Sequence, residues 1–429
     1  MSGQLARVVG IPGAVLMGLG SIVGTGIFVS VGVAAGIAGP AVVFAVALAA
    51  VVATFNGLSS AQLAASHPVS GGTYAYGYRY LNPTLGFTAG WMFLCAKSAS
   101  AATAALGFAG YTLAAFDVTD HWARVGVGVA IVAVLTAVLA GGMQRSNRTN
   151  AIIVSFTLLA LVAFALVGIP TAIDGAGTHF EGALTGASPR DLLHATALMF
   201  VAYTGYGRIA TLGEEVKEPA KTIPRAIIVA LLSTMALYVA VVGVAVATVG
   251  AGALGAATKE AAAPLEVVAR ELSVSQVSYL IAVAAVTAMV GVLLNLLLGL
   301  SRVLLAMGRR GDMPPALAHV EARHASPRRA VIVTGIGIAG LTLLGSVKTT
   351  WSFSAFTVLI YYALTNLAAL RLPPEHRRYP RWVAAVGLAS CLGLAFWVDA
   401  RIWLVGLGII AIGLGWHVVA RRRWGASST

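Results

Sequence analysis

Charge is what this sequence has least of. Asp, Glu, Lys and Arg make up 10% of its 429 residues, against about 25% in soluble domains. Only fifteen residues are acidic, and apart from Glu214 and Glu215 none falls inside a long apolar run. With 59% hydrophobic residues and a mean hydropathy of +0.88, a soluble chain of this kind would aggregate, so an integral membrane protein is expected. Alternating ten-residue strands are absent too, which excludes a transmembrane barrel. The two cysteines, Cys95 and Cys391, lie in apolar runs without metal-ligand spacing and read as small packing residues. No cofactor and no metal is expected. No soluble domain is visible either: the longest polar segment, 308–328, reads as a loop.

Long apolar runs, in contrast, are abundant. Crossing a hydrocarbon core of about 30 Å takes about 20 residues. Twelve helices fit between the charged and Pro-rich breaks, at 9–38, 40–66, 85–115, 122–142, 150–171, 192–217, 224–250, 275–307, 329–347, 350–371, 380–398 and 402–420. The fold class expected is all-α, integral to the membrane. The first run is too long for a cleaved signal peptide and lacks a cleavage-site pattern, so it reads as a mature span.

A formal net charge of +13 invites a nucleic-acid reading, which the topology removes. Of the 28 Lys and Arg, 20 fall on the side of the N-terminus, Arg421 to Arg423 among them, and 6 on the other. Lys97 and Arg208 fall inside spans. That asymmetry follows the positive-inside rule. It places both termini in the cytoplasm of a multi-pass protein of the cell membrane. The partner of the basic surplus is the lipid bilayer, and no nucleic acid is expected.

Two of the twelve runs carry a weak point at mid-span. The first reads SIVGTGIF (21–28) and the sixth reads FVAYTGYGR (200–208). Glycine costs about 1 kcal/mol against alanine in a helix interior. One Gly-x-Gly marks close helix packing as readily as a site, since Gly20 and Gly24 form a small-xxx-small pair. Two interruptions in matching positions of two halves point to an inverted-repeat transporter. Helices 1–5 and 6–10 form the repeats, so 1–371 is the transporter core. Residues 372–429 carry peripheral helices 11 and 12 and a basic tail. Unwound backbone is tolerated at mid-membrane only where it lines a cavity or meets a ligand. Half-helix N-termini suit a carboxylate, and the carbonyls at half-helix C-termini suit an ammonium. A zwitterionic amino acid has both groups.

At these residues the chain resembles amino acid permeases of the amino acid–polyamine–organocation superfamily. The matching stretches are GSIVGTGIF (20–28), HPVSGGTYAYGYRYLNPTLGFTAGW (67–91), FVAYTGYGRIATLGEEVKEPAKTIPRAI (200–227) and SRVLLAMGRRGDMPP (301–315). The resemblance implies a five-plus-five inverted fold and alternating access. It also implies that the substrate carboxylate meets N–H groups near Gly24, Thr25 and Gly26. The ammonium would meet the carbonyls of Ile22, Val201 and Thr204, beside the break at Gly205. EEVKEP (214–219) reads as a solvated helix end.

Two departures from the family matter. Val201 stands where many relatives carry a large aromatic that caps the substrate, leaving Phe200 and Tyr206 as candidates for that role. Thr157 stands where several relatives place a lysine tied to ion coupling. Lys97, about 18 Å into its helix at 1.5 Å per residue, is the candidate titratable group in its place, which makes proton coupling the expectation. Arg208 is a candidate for holding an anionic group. Sodium is not expected, because helices 1, 5 and 8 offer no carboxylate and the core of helix 8 only Asn295. The lack of buried acids argues against polyamines or arginine. A neutral amino acid is favoured as substrate, with an acidic one second because of Lys97 and Arg208. An enzyme would need convergent acid–base or metal groups, and His194 stands near a helix end without them. A channel would need a continuous polar path, which is not found.

Overall fold

The structure is a computed structural model and describes residues 9–67, 71–142, 147–183, 186–210, 216–320 and 327–424. Among these residues the one strand-like contact is an isolated parallel bridge between Val9 and Val216. The chain begins with α1 (Ile11–Ile22), a π-helical turn (Gly26–Ser30) and α2 (Val31–Ala38). A 3-10 turn (Gly39–Ala41) leads into α3 (Val42–Ser66). Then come α4 (Gly72–Tyr80), α5 (Pro83–Ala114), α6 (His121–Ala140), α7 (Asn147–Val167) and α8 (Ile169–His179). The second half opens with α9 (Pro189–Tyr203), a 3-10 turn (Thr204–Tyr206) and α10 (Gly207–Ala210). It continues with α11 (Pro219–Glu260), α12 (Pro264–Glu271), α13 (Gln276–Arg309), α14 (Arg328–Thr342), α15 (Val347–Leu370), α16 (Arg381–Ala395) and α17 (Ala400–Trp424).

The helix starts follow ordinary capping chemistry. Asn82 accepts from the Leu85 N–H ahead of Pro83, and Ser188 accepts from Asp191 N–H ahead of Pro189. Asp120 and Ser346 cap α6 and α15 in the same way. These side chains satisfy donors that a helix start leaves open. Eight helical stretches among the described residues are long and apolar enough to cross a membrane. The first, Ile11–Ser66, has 56 residues, which would extend about 84 Å if it were straight. Gly39, at φ +59°, and Pro40 turn the chain within it.

The structure adds helices that apolar patterning had not marked. The segments of α4 (GTYAYGYRY) and α12 (PLEVVARE) are too polar and too short to register as spans. The seventh span, expected to end at residue 250, continues to Glu260 beyond a kink at Gly250 (φ 79°, ψ 155°). Beside the kink the His179 Nδ1 stands 2.6 Å from the Ala247 carbonyl. The sixth span, expected to run to 217, departs from helix by its end: Lys217 N–H donates to Val9 O at 2.9 Å beside the Val9–Val216 bridge. Glu214 and Glu215 lie outside the described residues.

Burial grades outward from the centre. Of α15's apolar window 83% is buried, but of α17's only 17%, so α15 is core and α17 an outer helix. Paired hydroxyls stitch α5 to α15, Ser100 to Ser354 and Thr103 to Thr350, both at 2.7 Å. In an apolar bundle such a pair contributes on the order of 0.6–2 kcal/mol.

Candidate functional site

The first interruption is short and sharp. Val23 is extended (φ −78°, ψ 110°) and its N–H closes α1 on Leu19 O at 2.8 Å. Gly24 sits in the bend, and Thr25 (φ −49°, ψ −36°) is already helical. Ile27 and Phe28 both donate to Gly24 O at 3.1 Å, and the next turn is wound wide, the Val31 N–H reaching back to Gly26 O. Gly26, where the two interruptions implied unwound backbone, instead opens the π turn: the bonds to Gly24 O restore helix within two residues. No side chain caps this new helix start. The Thr25 hydroxyl is 4% exposed and has no partner among the described residues.

The second interruption is a tightening more than an unwinding. After Tyr203 the chain makes one 3-10 turn and resumes as α10. The Thr204 N–H and hydroxyl both donate to Val201 O, the hydroxyl at 2.8 Å.

The two interruptions lie against each other, and glycine makes that contact possible. A Cβ on Gly205 would stand 2.5 Å from Ile22 N and closer still to the Ser21 carbonyl group. A Cβ on Gly26 would stand 2.8 Å from Ala202 Cα. Close packing and site geometry are thus one requirement here. Gly24 faces Val292, whose Cγ2 would be 2.6 Å from an added Cβ.

Helix breaks free carbonyls, and in an apolar interior these need donors. Tyrosines from neighbouring helices supply them. Tyr238 of α11 donates to Ile22 O at 2.9 Å, and Tyr362 of α15 to Thr204 O at 3.2 Å. Tyr111 of α5 donates to Phe28 O at 2.7 Å, and Trp351 of α15 to Leu198 O at 2.9 Å. Thr204 O also accepts Gly207 N–H. Of the three carbonyls expected to meet an ammonium, Val201 and Thr204 therefore each hold two donors, while Ile22 holds a tyrosine hydroxyl. Sequence reasoning missed these tyrosines. Their signal was a polar-tipped aromatic in mid-helix, which needs a partner when buried.

The coupling and gating candidates gather around the same place. Lys97 Nζ donates to Thr204 Oγ1 at 2.9 Å, so the side chain ends at the second interruption. No carboxylate pairs with it among the described residues. Thr157 donates to its own i−4 carbonyl, Ile153 O, at 2.8 Å. It lines a small cavity with Gly20, Val23, Ile153, Val154, Ala288 and Gly291. Phe200 and Tyr206 are fully buried against Tyr362, with ring centroids 5.6 and 5.4 Å away. Val201 is buried. Arg208 lies in α10, half-buried, one turn past the interruption.

Comparison with known proteins matches this architecture. The amino acid permease family model covers residues 13–429. An uncharacterized transporter of Mycobacterium tuberculosis is 39% identical over 425 residues, spanning 97% of this chain and 92% of that protein. The branched-chain amino acid permease BcaP of Bacillus subtilis is 28% identical, over 97% of this chain and 90% of its own. The methylthioribose transporter of the same organism is 29% identical, over 96% and 93%. The chain is a multi-pass membrane transporter, not an enzyme, and it belongs to the amino acid permease family.

Proposed function

We propose that the protein is a secondary active transporter of neutral amino acids that works by alternating access. The observation that carries this reading is the buried, unpartnered Thr25 hydroxyl at an uncapped helix start. First-turn N–H groups have no helical carbonyl before them, and the helix dipole favours an anion there. The substrate carboxylate binds the N–H groups from Gly24 to Gly26 together with Thr25 Oγ1. The ammonium binds Ile22 O first; Val201 and Thr204 O join when their present hydroxyl donors turn away. The branched-chain permease among the relatives supports a neutral, apolar side chain.

The transporter has twelve crossing helices, with helices 1–5 and 6–10 as inverted repeats and both termini in the cytoplasm. The packing of α1's end against the 3-10 turn after α9 supports that pairing of halves. Lys97 is the proton carrier, as its ammonium contacts the second interruption and lacks a carboxylate partner among the described residues. Sodium takes no part: the cavity beside Thr157 offers one side-chain oxygen and no carboxylate, too few ligands to replace the ion's water. A second reading, exchange of an acidic amino acid, rests on Arg208 and on the same Lys97, which meets no carboxylate among the described residues.

Counterflow of labelled amino acids in proteoliposomes tests the proposal. Saturable uptake driven by a preloaded neutral amino acid is expected. Uptake of none of the twenty, or uptake that fails to saturate, overturns it; uptake restricted to aspartate or glutamate selects the second reading.

A further inference from the structure

A second buried polar cluster lies away from the interruptions, where the stretch GRRGDMPP (308–315) leaves α13. Gly311, at φ +79°, turns the chain so that Asp312 and Met313 N–H both donate to Met307 O, at 2.9 and 3.2 Å. Asp312 is thereby turned inward and is 2% exposed. Its carboxylate accepts the Tyr74 hydroxyl at 2.7 Å and the Tyr78 hydroxyl at 2.7 and 2.8 Å. Both tyrosines belong to α4. On the other side, the His417 Nδ1 of α17 stands 3.3 Å from the carboxylate, and Trp416 Nε1 donates to the Asp312 carbonyl at 3.0 Å. The Arg310 guanidinium covers the Tyr78 ring at 4.2 Å and the Tyr74 ring at 5.4 Å. Burial, and then the Asp312 charge and hydrogen bond, push both phenols above their usual range, so both remain donors.

An ionised carboxylate is costly to bury unless it is fully paired. Here the pairing recruits a short helix that also contacts α15. Thr73, next to Tyr74, shares a 2.7 Å hydroxyl contact with Thr365 of α15, and its N–H donates to Tyr361 OH at 3.4 Å. Tyr361 packs edge-on against Tyr362, with centroids 5.0 Å apart, and Tyr362 holds Thr204 O at the second interruption. The path from Asp312 to the interruption is thus a continuous series of contacts through nine-residue α4.

We propose that Asp312 is a positioning residue for transport: through α4 it holds the α15 tyrosines in place over the second interruption. This rests on the permease reading for what the interruption does, but not for the mechanical link. Releasing the carboxylate from Tyr74 and Tyr78 frees α4, and with it Tyr361 and Tyr362.

Cys391 reports on that movement. It is fully buried, and its Sγ contacts Asn56 Oδ1 at 3.1 Å; Asn56 is bonded to Asn366, which donates to Tyr362 O at 2.8 Å. In the full-length Cys95→Ser protein it is the single thiol, and its labelling by N-ethylmaleimide in proteoliposomes needs no substrate. Asp312→Asn, and separately Tyr74→Phe with Tyr78→Phe, should each raise the labelling rate at least tenfold. Thr73→Val should do the same, and combining it with the tyrosine pair should add nothing, because both cut one strut. Trp416→Phe, which loosens α17 but leaves α4 held, should label at the parent rate. If Asp312→Asn or the tyrosine pair does not fold, Thr73→Val decides alone, since it leaves the carboxylate paired. Parent-rate labelling in the tyrosine pair or in Thr73→Val, multiplying effects when they are combined, or an equal rise in Trp416→Phe would each overturn the proposal. Failure of amino acid counterflow would remove the permease reading and leave this result standing.

Discussion

Replacing Gly205 with alanine puts one methyl group between two backbones. The new Cβ would stand 2.5 Å from Ile22 N and nearer to the Ser21 carbonyl. No rotamer relieves a clash with main chain, so the end of α1 has to shift. Overpacking of a tight core costs about 1–3 kcal/mol, and a clash with backbone belongs at the upper end. Gly26→Ala is next, with Ala202 Cα at 2.8 Å. Gly24→Ala meets the Val292 methyl at 2.6 Å, a side-chain atom that can turn aside, so about 1 kcal/mol is expected. Gly337 in α14 has nothing within 4 Å of an added Cβ. Alanine there is neutral or gains up to about 1 kcal/mol of helix propensity. Melting temperature in detergent and counterflow rate should fall in the order Gly337→Ala, Gly24→Ala, Gly26→Ala, Gly205→Ala. If Gly205→Ala melts and transports like Gly337→Ala, the two interruptions do not bear on each other and the reasoning fails.

Lys97→Met, with uptake measured from about pH 5 to pH 9, should lose the pH dependence of the parent. An unchanged rate and profile would make Lys97 structural. Replacing sodium by choline should leave uptake within tenfold, and a larger drop, about 1.4 kcal/mol of coupling, would contradict the sodium-free mechanism. Tyr238→Phe leaves Ile22 O without the hydroxyl it accepts at 2.9 Å. The empty protein should lose about 1–2 kcal/mol, and a saturating amino acid should raise its melting temperature more than the parent's. An equal rise in both would show that the ammonium does not reach Ile22.

The interruptions were legible because glycine in a long apolar run is costly and so marks a backbone requirement. Their shape was not: whether Gly26 resumes as π helix depends on which N–H reaches the Gly26 carbonyl, which is a matter of geometry, not composition. The tyrosines that occupy the freed carbonyls lie on α5, α11 and α15, remote in sequence from what they serve. Nothing local in LYVA (237–240) or LIYYALTN (359–366) names Ile22 or Thr204 as the acceptor. Lys97 was conspicuous as a cation near mid-span, but its contact with Thr204 needed α15 to pack against both α5 and α9. Asp312 escaped notice because it follows the apolar run of α13, in a stretch that reads as a polar loop until Gly311 turns it inward.

The central claim is that the helix start at Thr25 receives a substrate carboxylate. It is tested most directly by competition in the counterflow assay, using the transported amino acid against its own carboxamide. The carboxamide keeps the side chain and the ammonium but carries no anion. The account predicts that the free amino acid competes and that the carboxamide does so at least about tenfold more weakly, a loss of about 1.4 kcal/mol or more. Equal competition by the two would mean that no carboxylate is recognised there.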